Sequence, residues 1–179
     1  MKRLAAAAAL AALVATPALA ALKAGDKAPD FTAPGFQAGK PLTFSLAQAR
    51  KKGPVVLYFF PAADTKGCNL EAKMFADAMP QFAAAGATVI GVTAGNLDKL
   101  QQISSDTDKC SGKFPVAADQ GAKIARQYDA ILAAKPDWSD RTSYVISPNG
   151  QIVHAYSKMD PTEHVSQTLA TVQSMKAKR

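Results

Sequence analysis

Gly53-Pro54-Val55-Val56-Leu57-Tyr58-Phe59-Phe60-Pro61-Ala62-Ala63-Asp64-Thr65-Lys66-Gly67-Cys68 is the stretch on which the reading of the fold turns. Val55 to Phe60 is an unbroken apolar run rich in β-branched and aromatic residues, which suits a central strand covered on both faces. Pro61 has no N–H to offer and ends it. Thr65 is a good N-cap for a helix from Lys66 to Ala84, with Leu70, Met74, Phe75, Ala78, Met79 and Phe82 on its apolar face. Pro80 is expected to kink that helix or end its first regular part. Gly86 closes the helix, and Ala87 to Val92 is a second buried strand. A strand, a helix and a strand joined by a right-handed crossover make a parallel pair.

Toward the C-terminus, Asn96 to Asp108 reads as a helix, Phe114 to Ala118 as a short strand and Ala122 to Tyr128 as a helix. A loop from Ala130 to Asp140 holds Trp138. Thr142–Ser147 and Gln151–Tyr156 are strands around Pro148-Asn149-Gly150, and Asn-Gly is a strong hairpin signal. Thr162 to Met175 is the closing helix. Toward the N-terminus, Leu42–Phe44 is a brief strand, Ser45 caps a short helix from Leu46 to Lys51, and Lys23–Lys40 is an irregular arm with room for a hairpin. The order predicts an α/β fold: a mixed β-sheet flanked by helices, as in a thioredoxin-like fold.

The chain of 179 residues opens Met1-Lys2-Arg3, runs through only Ala, Leu and Val from Leu4 to Val14, and reaches Ala18-Leu19-Ala20 after Thr16-Pro17. A basic start, a short apolar run and a small-x-small end predict a signal peptide over residues 1–20, with one domain over residues 21–179. The run is shorter than the roughly 20 residues a spanning helix needs, so stable membrane insertion is not expected. The product would be periplasmic or otherwise exported, where a cysteine pair tends to oxidise. The net charge of +7 is scattered rather than gathered into a stripe with aromatics, which argues against nucleic-acid binding.

Of the two cysteines, Cys68 falls in the first turn of its helix. Unsatisfied N–H groups and the positive end of the helix dipole face the sulfur there and favour thiolate, the form that attacks peroxides and disulfides. If Thr142–Ser147 runs antiparallel beside Val55–Phe60, Arg141 arrives at the same sheet edge, and its permanent cation stabilises that thiolate. His154 and His164 have no metal-ligand spacing to either cysteine, and are expected on a strand and a surface helix. Neither a metal nor an organic cofactor is called for.

The segment Tyr58 to Glu71 resembles the active-site stretch of the peroxiredoxins, the AhpC/TSA superfamily. Pro61, Thr65 and Cys68 match its Pro-x-x-x-Thr-x-x-Cys pattern, and Asp140 to Gly150 is similar to the region that carries its arginine, here Arg141. Gly67 before the cysteine and Glu71 three residues after it look most like the peroxiredoxin Q (bacterioferritin comigratory protein) branch. The resemblance implies a thiol-dependent peroxidase acting on hydrogen peroxide and organic hydroperoxides. Cys68 is then the peroxidatic nucleophile, Thr65 and Arg141 are donors to the peroxide, and Pro61 shields the sulfenic acid.

In many members of that branch the resolving cysteine lies five positions on, where this chain has Lys73; others place it on the later helix, and Cys110 fits that alternative. The resemblance also implies a thioredoxin-like dithiol reductant and a monomer. A Cys68–Cys110 disulfide would require Cα atoms within about 7 Å; if the two cysteines sit further apart, the first turn of the Cys68 helix and the segment Ser104–Ser111 must loosen, in keeping with the weak helix run Ser104–Asp108. Two other readings stand beside this one. One is an exported thioredoxin-like disulfide oxidoreductase, although Glu71 occupies the fourth position of the Cys-x-x-Cys it would need. The other is a non-enzymatic thioredoxin-fold binding domain with a structural Cys68–Cys110 bridge.

Overall fold

The computed structural model describes residues 21–177; the proposed signal peptide lies outside the described residues. Seven strands form one sheet: β1 (Thr32–Gln37), β2 (Lys40–Ser45), β3 (Val55–Phe59), β4 (Thr88–Thr93), β5 (Val116–Ala118), β6 (Thr142–Ile146) and β7 (Ile152–Ser157). Their spatial order is β2-β1-β5-β4-β3-β6-β7. β3, β4 and β5 are parallel to one another, while β6 runs antiparallel to β3 and β7 antiparallel to β6. The mixed sheet expected from the sequence is therefore present. Among the described residues five α-helices flank it: α1 (Leu46–Arg50), α2 (Lys66–Ala84), α3 (Leu100–Ser105), α4 (Lys123–Gln127) and α5 (His164–Ala177).

All of β3 is buried, and its alternation assigns each side chain to a layer. Val56, Tyr58 and Phe60 join Phe75 and Phe82 of α2 and Val165 and Val172 of α5 in one core. Val55, Leu57 and Phe59 join Leu46 and Ala49 of α1, Ile124 of α4 and Tyr128 at its C-terminal cap in the other. Each buried Phe or Leu contributes roughly 1.5–3 kcal/mol, so two such layers amply anchor a rigid β3. Its C-terminal end, where Pro61 follows, is thus a fixed platform for the loop before α2.

Two local expectations need correction. Lys23–Lys40 is irregular only in its first half: the hairpin it had room for is formed by β1 with β2, and β1 pairs with β5 as well. Gly35 interrupts the strand pattern for a reason: a Cβ there would stand 2.3 Å from the Val116 carbonyl. The helix expected over Asn96–Asp108 shrinks to a 3₁₀ turn (Leu97–Lys99) and α3, and residues 106–113 are turns. Polar Ser104-Ser105-Asp106-Thr107-Asp108 prefers side-chain bonds to local backbone, as when the Asp108 N–H donates to Asp106 Oδ1 at 2.9 Å.

Pro80, in contrast, neither ends nor splits α2, which runs through it. A proline deprives the carbonyl four residues earlier of its donor. That carbonyl belongs to Ala76, and it accepts from Lys113 Nζ at 3.0 Å. A side chain from the loop after α3 thus replaces the lost helical bond.

Candidate active site

The loop from Phe60 to Thr65 carries the chain from β3 into α2, and it is tied down along its length. The Phe60 N–H donates to the Val92 carbonyl at 3.1 Å, and the Ala63 N–H to the Gly95 carbonyl at 3.1 Å. Ser139 Oγ donates to the Phe60 carbonyl, Thr93 Oγ1 to the Pro61 carbonyl, and Asn96 Nδ2 to the Ala63 carbonyl at 3.0 Å. Gly95 is needed for this approach, since a Cβ there would fall 2.5 Å from the Pro61 oxygen and 2.9 Å from the Trp138 ring. Thr93, Gly95, Asn96 and Ser139 have no local motif to announce them. Their partners lie across the sheet edge, and only the fold brings them together.

Thr65 is the N-cap of α2 in extended conformation, but its hydroxyl does not cap the helix. It donates instead to the Ala62 carbonyl at 3.3 Å. The N–H groups of Lys66, Gly67 and Cys68 consequently remain at the helix start without a capping side chain. Cys68 sits in that first turn, only 4 % exposed and with a free thiol. Pro61 and Thr65 belong to the same short segment, and Pro61 is buried beside it.

Arg141 arrives through sheet register. Phe59 pairs with Thr142 across β3 and β6, so the residue before β6 lies beside the loop that follows β3. The side chain is held in three directions. Nη2 donates to Cys68 Sγ at 3.4 Å, Nη1 donates to Glu71 Oε2, and Nε donates to the Met159 carbonyl at 2.9 Å. Gly67 leaves room for the guanidinium, since a Cβ there would lie 3.3 Å from Nη2. Burial works against the arginine's charge, but Glu71 and Cys68 more than offset it and hold its protonation above the ordinary range.

Glu71 is completely buried one turn into α2. Burial pushes its carboxyl up to about 8 against the pull of Arg141. Its second oxygen, Oε1, has no hydrogen bond. His164 is equally buried, which corrects the surface placement expected for it: α5 packs on α2 and β6 with His164 facing inward. Sequence reasoning saw Glu71 only as part of a pattern and gave His164 no part in the site. Tyr58 has no site role in the sequence pattern, yet its buried hydroxyl also lacks a partner and lies within the electrostatic reach of both thiols.

Cys110 is also free, fully buried, and set in the turn segment after α3. Burial first, and Asp106 second, push its thiol up to about 12. Its neighbour Lys109 reaches back to the active-site loop, with Nζ 2.8 Å from Asp64 Oδ1 and 3.0 Å from Asp106 Oδ2. Asp64 has a positive φ of 59° and also accepts from Asn69 Nδ2 at 3.3 Å. Lys109 and Lys113 therefore tether the Cys110 segment to the loop and to α2 respectively.

A buried thiol at a helix start, in contact with a fixed guanidinium, is placed to attack a small electrophile, with donors beside it for the charge that develops. The comparisons agree with that chemistry. The AhpC/TSA family model matches residues 24–155. The chloroplastic peroxiredoxin Q of Sedum lineare is 30% identical over 153 residues, covering 85% of this chain and 78% of that one. The chloroplastic peroxiredoxin Q of Populus jackii is 32% identical over 152 residues, covering 84% and 68%. The crystal structure of peroxidoxin BcpB from Mycobacterium tuberculosis superimposes with a TM-score of 0.73 at 29% identity, over 86% of this chain and 98% of that one. The AhpC of the same organism, at 17% identity, shares the fold with a TM-score of 0.74 over 89% of this chain and 96% of its own. With the pattern at Cys68, the sheet order and these likenesses in agreement, the chain belongs to the AhpC/TSA family of peroxiredoxins.

Proposed function

We propose that Cys68 carries the thiol-dependent peroxidase activity of this chain, and that Arg141 is the cation that activates it. The observation that supports this most directly is the 3.4 Å contact from Arg141 Nη2 to Cys68 Sγ at the first turn of α2. The Cys68 thiolate attacks one oxygen of the peroxide; an S–O bond forms as the O–O bond breaks. The leaving hydroxide or alkoxide takes up a proton and departs as water or alcohol, and Cys68 is left as a sulfenic acid. Arg141 and the free N–H groups at the helix start stabilise the charge that develops on oxygen. Thr65 and Pro61 shape the loop around the sulfur, and the Thr65 hydroxyl, which donates to the Ala62 carbonyl in the resting site, is the further donor to the peroxide in this reading.

Cys110 is the resolving residue in this reading. Its thiolate displaces hydroxide from the Cys68 sulfenic acid, giving a disulfide and water, and a thioredoxin-like dithiol protein then returns both thiols. Buried, and with its proton held to about 12, Cys110 is inert where it stands. The turns at residues 106–113 must open first, and their polar side-chain bonds are of the kind that break locally. The N-terminal pattern over residues 1–20 supports export to an oxidising compartment.

A mass spectrum of the reduced protein after one equivalent of hydrogen peroxide tests this. The expected product is an intramolecular Cys68–Cys110 disulfide, with Cys110→Ser trapping the Cys68 sulfenic acid. A dimer linked through cysteines, or oxidation confined to Cys110, would refute it.

A further inference from the structure

His164 opens α5 fully buried, and the peroxide chemistry above has no use for it. Its bonds nevertheless lead to the site. Nε2 lies 2.9 Å from the Lys158 carbonyl, which can only accept, so Nε2 carries the ring proton. Nδ1 is then the bare nitrogen, and it accepts from the Ser143 hydroxyl at 2.8 Å. Burial lowers the ring's affinity for a second proton, in keeping with a neutral imidazole. Nδ1 also stands 3.7 Å from Glu71 Oε1, the unbonded oxygen of the carboxyl that holds Arg141 Nη1.

The Lys158 carbonyl precedes the Met159 carbonyl, and the latter accepts from Arg141 Nε at 2.9 Å. The Lys158 N–H donates in turn to the Arg141 carbonyl at 3.2 Å. Two consecutive carbonyls of the turn after β7 are therefore held by His164 and by Arg141. Met159 itself is exposed, so its side chain adds little to fix the turn. Of the three bonds that orient the guanidinium, the one through Nε depends on a loop carbonyl, and His164 secures that loop.

We propose that His164 is a positioning residue for the peroxidase site, which holds the Lys158–Met159 turn so that Arg141 faces Cys68. The proposal rests on the assignment of Cys68 and Arg141 made above. Its chemistry is specific: a donor at the Nε2 position is required, whereas the acceptor at Nδ1 meets the Ser143 hydroxyl and, at 3.7 Å, Glu71 Oε1. Glutamine can place a donor near the Nε2 position; asparagine reaches only the Nδ1 position; leucine offers neither.

The experiment compares His164→Gln, His164→Asn and His164→Leu in full-length protein carrying Cys110→Ser. It measures the rate of Cys68 oxidation by hydrogen peroxide, the pH at which Cys68 becomes half-alkylated by iodoacetamide, and hydrogen exchange of the Arg141 Nε proton by NMR. His164→Asn and His164→Leu should oxidise about tenfold more slowly, with the alkylation midpoint moved up and the Nε proton exchanging faster. His164→Gln should stay within about threefold of the parent on the same scale. Parent-like values in His164→Asn would overturn the proposal, and so would a His164→Gln as slow as His164→Leu while folded by circular dichroism. If His164→Leu does not fold, the Asn–Gln pair decides alone. Slow oxidation of Cys68 in the parent would refute the Cys68 assignment instead, and the Nε exchange would still report on His164.

Discussion

The two cysteines stand in opposite kinds of surroundings. Cys68 is met by Arg141, by free helix N–H groups and, through the arginine, by Glu71 and the Met159 carbonyl. Cys110 borders the same apolar core as Cys68, with Phe114, Tyr58 and Phe75, but Arg141 bonds only Cys68, and burial holds the Cys110 proton to about 12. Both are nearly inaccessible, so exposure does not separate them. What separates them is whether the burial comes with charge and donors aimed at the sulfur. The first environment makes a nucleophile in a closed site, and the second keeps a thiol inert until its segment opens.

The polar side can be broken at Glu71, where the largest change in stability is expected. A carboxyl raised from 4.5 to about 8 in the folded protein opposes folding once it must ionise. The associated stability is therefore full below about 4.5 and is lost as pH rises toward 8. Glu71→Gln stays neutral throughout and still accepts from Arg141. It should match the wild type near pH 4.5 and exceed it at pH 8 by on the order of a few kcal/mol in urea unfolding. A wild type more stable than Glu71→Gln at pH 8 would mean that the attraction of Arg141 outweighs burial.

A smaller effect is expected where the two regions are tied together. Lys109 bonds Asp64, so Asp64→Asn should ease the release of the Cys110 segment and leave the first oxidation alone. Disulfide formation after a peroxide pulse should quicken by about two- to threefold, and moderate salt should act on the wild type in the same direction. An unchanged rate would place the barrier elsewhere, with the bond from Lys113 to the Ala76 carbonyl as the next point to test.

The contrast also explains what was legible in the sequence. Val55–Phe60 and the run from Pro61 to Cys68 place strand, loop and nucleophile in one continuous segment, and their periodicity is local. Arg141 could be read because an antiparallel neighbour has only one register that pairs Phe59 with Thr142. His164, Thr93 and Asn96 were not legible in the same way. Each acts through a backbone carbonyl, which no residue type advertises, across separations that only the folded sheet closes. That Pro80 leaves the helix unbroken could not be read for a related reason, since the donor that replaces its missing bond is a lysine from another element. β1 was hidden because Pro34 and Gly35 look like loop residues until the close approach of β5 is known.

The central claim is that reactivity belongs to Cys68 and not to Cys110. Stopped-flow thiol loss in the fully reduced protein, with Cys68→Ser and Cys110→Ser alongside, measures it most directly. Oxidation of the wild type and of Cys110→Ser should exceed that of free cysteine by at least about a thousandfold, with Cys68→Ser losing all of that advantage. Equal rates in the two variants, or a wild type no faster than free cysteine, would contradict the account.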